Sequence, residues 1–355
     1  MKNISRIQRI CDANGISGFE DEVIKAIKEE APDLGTYTED RMRNLYLAYA
    51  SNTGNRPIVQ LDAHTDEVGF MVKCIRDDGM LEFIPIGGWV SSNIPSHRVR
   101  VKNLDGVYIP GLVGSKPPHY MSEAERKAAP EITSMIIDIG AFSYKEAVEI
   151  YKIGIASPVI PEASCTYNPN NDLLTGKAFD CRLGCTSILD TLDALKGERL
   201  NVDLIAGFAT QEEVGCRGSI ITSETINADL AICFEGCPAD DTFLPAYQRQ
   251  TAVKKGPMLR HFDSKMITNP RFQRFALDVA KECNIPVQEA VRNGGATNAS
   301  QIHLAHRGIP TIVIGIPVRY AHTHWGISSL SDVENSVKLA CEIIKRLDAN
   351  IIAGF

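Results

Sequence analysis

Four short runs dense in Val, Ile, Leu and Ala lead directly into acidic or histidine residues, and this pairing limits the folds open to the chain. Ile58-Val-Gln-Leu-Asp-Ala63 leads into His64-Thr-Asp66-Glu67, and Asp203-Leu-Ile-Ala-Gly-Phe-Ala-Thr210 into Gln211-Glu212-Glu213. Asp229-Leu-Ala-Ile-Cys-Phe234 leads into Glu235-Gly236, and Thr311-Ile-Val-Ile-Gly-Ile316 runs through Pro317 to His322-Thr-His324. None of these runs alternates strictly between apolar and polar residues, which reads as strands buried on both faces of a parallel sheet. In open parallel α/β sheets, ligands collect outside the carboxyl ends of the strands. Adjacent carboxylates there, such as Glu212-Glu213, are costly to desolvate unless something uses them. Four ends supplying His, Asp, Glu and His describe a metal site better than a solvated surface.

Helical spacing flanks the runs. Ile4, Ile7, Ile10 and Cys11 share one face of the segment from about 3 to 31; Gly15 and Gly18 break the pattern, and Val23, Ile24 and Ile27 resume it. Further helices are predicted from Arg182 to about Leu195, from about Arg271 to Cys283 and from Ser331 to about Leu347. Strands alternating with helices imply a doubly wound, mostly parallel α/β sheet covered on both faces. Between residues 69 and 165 the texture changes to short, turn-bounded runs such as Arg98-Val-Arg-Val101, which predict a small β-barrel-like insertion. The expected organisation is a catalytic domain of 1–68 plus 166–355, interrupted by a β-rich 69–165. The Pro-flanked polar stretch 115–131 is expected to form a mobile loop.

A formal net charge of -7 with no basic stripe argues against a nucleic-acid partner. No apolar run approaches the roughly 18–20 residues that span a bilayer, and the first ten residues lack a signal peptide's apolar core. A cytoplasmic protein is expected. The ten cysteines are scattered, and neither Cys181/Cys185 nor Cys233/Cys237 has a second pair at structural-zinc spacing, so they read as reduced, small hydrophobes.

His64 and Asp66, two apart, share one face of an extended backbone; one can ligate a metal while the other orients it through the second ring nitrogen. Asp180, just ahead of a helix, is either an N-cap or a carboxylate whose two oxygens bridge a pair of cations about 3.5–4 Å apart. Of Glu212 and Glu213, one can complete the coordination and the other stay free as a general base. Glu235 and one C-terminal histidine, His322 or His324, supply a further ligand each. Mixed imidazole and carboxylate ligands suit Zn²⁺, Co²⁺ or Mn²⁺.

Ordered blocks along nearly the whole chain then resemble a known family. They include Gly15-Ile-Ser-Gly18-Phe-Glu20, His64-Thr-Asp66-Glu67-Val-Gly69, Phe179-Asp180-Cys-Arg182-Leu-Gly184, Gln211-Glu212-Glu213-Val-Gly215, Gly294-Gly-Ala-Thr-Asn298 and Pro317-Val-Arg319-Tyr320-Ala-His322. The chain resembles the clan MH metallo-aminopeptidases of the tetrahedral, self-compartmentalising kind, called glutamyl or deblocking aminopeptidases and sometimes endoglucanase-M-like. The resemblance implies two divalent metal ions, with His64 and Glu235 on one, Glu213 and His322 on the other, and Asp180 bridging them. It makes Glu212 the general base and Asp66 the residue orienting His64, and it sets His324 aside. It further implies a PDZ-like dimerisation insertion, a homo-oligomeric dodecamer and peptide substrates cleaved at the N-terminus. The chain departs from the family pattern at Glu235, where Asp is common, and at Asn298 and Gly326, where acids are frequent. A carbohydrate-active hydrolase and an inactive scaffold descendant are the alternative readings.

Overall fold

Each of the four expected runs is a strand in the structure, a computed structural model that describes residues 2–355. Met1, where the expected segment 1–68 begins, lies outside the described residues. The chain opens with helices α1 (Lys2–Asp12) and α2 (Asp21–Glu30), parted at the predicted glycines, and strands β1 (Gly35–Glu39), β2 (Leu45–Tyr49) and β3 (Ile58–His64). Six strands then close into an antiparallel barrel: β4 (Gly69–Ile75), β5 (Leu81–Ile86), β6 (Arg98–Lys102), β7 (Tyr108–Val113), β8 (Ile137–Asp138) and β9 (Pro158–Pro161). Phe70, Val72, Phe83, Val99, Val101 and Ile137 fill its interior. A short helix, α3 (Glu123–Lys127), lies between β7 and β8 where the sequence suggests only a loop. Its signal is legible in hindsight: Ser122 and Glu125 form a capping box, the S-x-x-E pattern of a helix start.

Beyond the barrel come β10 (Thr166–Asn168), β11 (Leu173–Gly176), α4 (Phe179–Ala194), β12 (Asp203–Ala209), α5 (Arg217–Ile226) and β13 (Leu230–Pro238). They are followed by β14 (Met258–Phe262), α6 (Pro270–Glu282), β15 (Gln288–Val291), α7 (Ala299–Ile302), β16 (Thr311–Val318), β17 (Gly326–Ser329) and α8 (Leu330–Arg346). Eight strands form the main sheet in the order β1-β2-β12-β3-β13-β16-β14-β15. Its four central strands, β12, β3, β13 and β16, are mutually parallel, so their carboxyl ends open on the same edge. Antiparallel strands flank this centre.

Helices cover both faces, as a doubly wound sheet requires. Val59, Leu61 and Ala63 of β3 pack toward α4 in the largest core cluster, with Ile188, Leu189 and Leu192 opposite. The alternate residue Ile58 packs with Ile205 and Ile226 on the α5 side. Gly184 lets α4 approach closely, because a Cβ there would lie 3.1 Å from the Cβ atoms of both Ala63 and Phe234. That approach brings the start of α4 to the carboxyl ends of β3 and β13. No described helix is long and apolar enough to cross a membrane.

Candidate metal centre

His64 is the last residue of β3, and Glu212-Glu213 follow β12 across Gln211, whose positive φ of 56° turns the chain. Glu235 departs from expectation: β13 continues to Pro238, so this side chain rises from within the strand rather than beyond its end. His322 sits in the loop after β16, itself at a φ of 60°. Asp180 lies at the start of α4 with non-helical dihedrals and makes no cap hydrogen bond, which disposes of the N-cap reading.

These residues converge. Oδ1 of Asp180 lies 3.2 Å from Nε2 of His64, which is 3.4 Å from Oε1 of Glu235. Oδ2 of the same carboxylate lies 3.5 Å from Nε2 of His322, which is 3.5 Å from Oε2 of Glu213. Each oxygen of Asp180 thus faces its own histidine–glutamate pair. A tetrahedral ion with ligand bonds of about 2.0–2.1 Å holds its ligand atoms about 3.3 Å apart, so the spacing fits a shared cation at each pair. The charge balance also fits. Burial pushes the carboxyls of Glu212, Glu213 and Glu235 above their ordinary range, which a bound cation would offset. Burial opposes ionisation of Asp180 too, but hydrogen bonds from His322 and His64 hold it far below the ordinary carboxylate range.

Both ring positions of His64 and of His322 are accounted for. Nδ1 of His64 lies 3.3 Å from Oδ1 of Asp66 and 3.1 Å from its carbonyl oxygen, leaving Nε2 for the cluster. The carboxylate of Asp66, fully buried, also accepts from the backbone N–H groups of Glu212 (2.9 Å) and Glu213 (3.1 Å) and from Oγ of Ser17 (2.6 Å). Asp66 therefore orients the histidine and the glutamate pair together. Nδ1 of His322 lies 3.0 Å from the carbonyl oxygen of Gly88, contributed by the segment joining β5 and β6 of the barrel. His324 turns away and stacks on His97 with ring centroids 4.0 Å apart, so it takes no part in the cluster.

The M42 glutamyl aminopeptidase family matches residues 44–339. The chain belongs to this family. It is similar to glutamyl aminopeptidase of Lactococcus lactis, at 33% identity over 99% of both chains. It is likewise similar in structure to a TET aminopeptidase from a marine-sediment archaeon of the Thaumarchaeota, at 35% identity, covering 100% of this chain and 99% of that one with a TM-score of 0.95. TET1 peptidase of Pyrococcus horikoshii, described as assembling into a tetrahedron or a large octahedral shell, matches at 26% identity over 97% and 100% of the two chains, with a TM-score of 0.86.

Three neighbours of the site in this M42 chain, Cys181, Glu20 and Gly88, were not assigned to it from the sequence, which read Cys181 as a small buried hydrophobe. The Cys181 thiol lies among His64, Asp180 and Glu235, but it donates to the carbonyl of Phe234 at 3.2 Å, and burial pushes its pKa well up. Glu20 accepts from the N–H groups of Gly18 and Gln211, tying the chain after α1 to the glutamate turn; burial and nearby Asp66 push it up to about 7. Gly88 has no sequence signal at all, since its contribution is a carbonyl. Beside the cluster a cavity of ≈ 440 Å³ opens, walled by Glu212, Glu213, Glu235, Arg260, Arg292 and His322.

Proposed function

We propose that the chain is a dinuclear metal-dependent aminopeptidase that removes N-terminal residues from short peptides. The observation carrying this reading is the pair of Asp180 oxygens, each facing one histidine and one glutamate. His64 and Glu235 would hold one divalent ion, His322 and Glu213 the other, and Asp180 both. When bound, Zn²⁺, Co²⁺ or Mn²⁺ ions supply Lewis acidity for the scissile carbonyl and make an attacking water more acidic. Glu212, on the cavity wall, takes the proton from that water and returns it to the leaving amine. Asp66 keeps Glu212 and His64 in mutual register. The carboxylates of the cluster favour a substrate's free α-amino group, which selects the N-terminus over internal bonds.

The cavity volume accommodates one amino-acid side chain and its flanking backbone rather than a folded protein. The tetrahedral assemblies described for similar structures support a homo-oligomer, with a closed dodecamer as the form that would screen substrates by size. A metal-free glycosidase needs two free carboxylates flanking a sugar; here the carboxylates converge on two imidazoles, which disfavours it. The deciding experiment titrates apo protein with Zn²⁺, Co²⁺ and Mn²⁺ against a panel of aminoacyl p-nitroanilides. Glu213→Gln is expected to lose about one ion per chain, whereas Glu212→Gln keeps its metal and loses turnover by about 10²-fold or more. Turnover that survives chelation, or that persists in Glu212→Gln, sinks the reading.

A further inference from the structure

Glu212 has its backbone pinned by Asp66, but a glutamate side chain retains considerable rotamer freedom unless something holds its carboxylate. Among the described residues, the one side-chain donor on that carboxylate is the thiol of Cys216, with Sγ 3.2 Å from Oε1 of Glu212. We propose that Cys216 is a positioning residue that fixes the Glu212 carboxylate for proton transfer. The proposal rests on the reading of Glu212 as the general base.

The local backbone is built to make this contact. The N–H groups of Gly215 and Cys216 both donate to the carbonyl of Glu212 at 2.8 Å, closing a tight turn just before α5. Cys216 adopts a φ of 52°, and this left-handed conformation curls its side chain back over the turn onto the glutamate four residues earlier. Oγ of Ser219 donates to the Cys216 carbonyl at 2.8 Å, and Oγ of Ser300, next to α7, approaches the sulfur at 3.8 Å. The residue is 5% exposed and contributes to the wall of the cavity beside Glu212 and Glu213. Among the described residues none of the other nine thiols hydrogen-bonds to a carboxylate of the cluster; Cys181, which lies beside Asp180 and Glu235, donates to the carbonyl of Phe234, Cys185 donates to the carbonyl of His64 and Cys237 accepts from Arg260.

Thiol chemistry suits the task. Burial and the neighbouring Glu212 carboxylate keep Cys216 protonated, so it remains a donor. An S–H is a weak donor. It can orient a base while leaving most of the base's affinity for a proton, whereas an ammonium or guanidinium in the same place would hold the carboxylate in its ionised form.

The test compares donor with non-donor side chains in the metal-loaded, full-length protein. Cys216→Ala is expected to lower kcat by about three- to tenfold, the effect of one modest hydrogen bond, with KM and bound metal unchanged. Cys216→Gly, which a positive φ tolerates, carries the same expectation and guards against misfolding of the first variant. Cys216→Ser restores a donor and should recover most of kcat. Unchanged kcat in the Ala and Gly variants, or a Ser variant as slow as Ala, overturns the assignment. Glu212→Gln, measured alongside, separates the two claims. If it abolishes turnover while Cys216→Ala does not alter kcat, only the role of Cys216 fails; if Glu212→Gln remains active, the base assignment itself fails.

Discussion

Gly88 shows how much of the site is decided by single atoms that carry no side-chain chemistry. Its carbonyl faces Nδ1 of His322, which leaves Nε2 directed at Asp180 and Glu213. A Cβ at this position would lie 3.0 Å from that same Nδ1. Gly88→Ala should therefore displace the ring by a few tenths of an ångström and weaken retention of the ion proposed for His322 and Glu213 by about tenfold, the usual scale for loss of a group that orients a metal-binding histidine. Metal titration followed by isothermal calorimetry reads this directly, and an unchanged affinity would falsify the role given to Gly88. The same scale explains what the sequence revealed and what it did not. His64, Asp66, Glu212, Glu213 and Glu235 stood out because ionisable residues beside apolar runs are costly to bury; Asp180 stood out as a carboxylate just ahead of a helix, and the choice of His322 over His324 rested on the family resemblance. Gly88 and Cys216 did not stand out, because a carbonyl and a lone thiol look the same in a sequence wherever they point.

At the level of elements, α4 links the site to the rest of the core. It carries Asp180 at its start and Asp190 three turns later, where Arg6 of α1 reaches both Asp190 and Asp193. The close approach of α4 to β3 and β13 depends on Gly184, where a Cβ would also lie 2.4 Å from Sγ of Cys181. Gly184→Ala is expected to cost about 1–3 kcal/mol by overpacking and to lower turnover as the start of α4 shifts; thermal unfolding and kcat measured together check both effects. Asp190 gives this helix a pH signature. Burial pushes its carboxyl up to about 6, only partly offset by Arg6. Because the folded state then binds the proton more tightly than the unfolded one, the stabilisation from Asp190 is fully present below about pH 4 and is lost as pH rises through 6. Relative to wild type, Asp190→Asn should gain stability across that window by at most about 3 kcal/mol. Groups remote from Asp190 titrate alike in the two proteins, so a difference that stays constant from pH 4 to 6 contradicts the shift.

For the molecule as a whole, the barrel is part of the site's support as well as a separate β unit. It contributes Gly88 to His322, and His97 at its edge stacks on His324, two residues beyond His322. Trp89 donates through Nε1 to the carbonyl of Gly69 and lies 5.2 Å from the His324 ring, completing an aromatic brace under the loop that carries His322. Leu104, Phe142, Ile150 and Ile155 remain exposed on the barrel side of the chain, apolar surface consistent with the proposed subunit contacts. Light scattering is expected to return an assembly of twelve 38.9 kDa chains that cleaves short peptides and spares the N-termini of folded proteins. A monomer of full activity would remove size screening from the functional reading.

The sequence by itself determined the alternation of strands and helices, the parallel sheet, the β-rich insertion and the residue types of the candidate metal centre. Those properties follow from burial periodicity and from the cost of desolvating charge, both written locally along the chain. Only the tertiary structure decided that Glu235 reaches the cluster from within β13, that His324 stacks on His97, that 115–131 carries a helix, and that Gly88 and Cys216 adjoin His322 and Glu212. The contact of Gly88 with His322 spans 234 residues and depends on how the barrel docks against the sheet. That of Cys216 with Glu212 spans four, but depends on a left-handed turn that no periodicity encodes. Glu212-Glu213 therefore announced a site, and the fold gave its two carboxylates different partners: His322 for Glu213, and a thiol for Glu212.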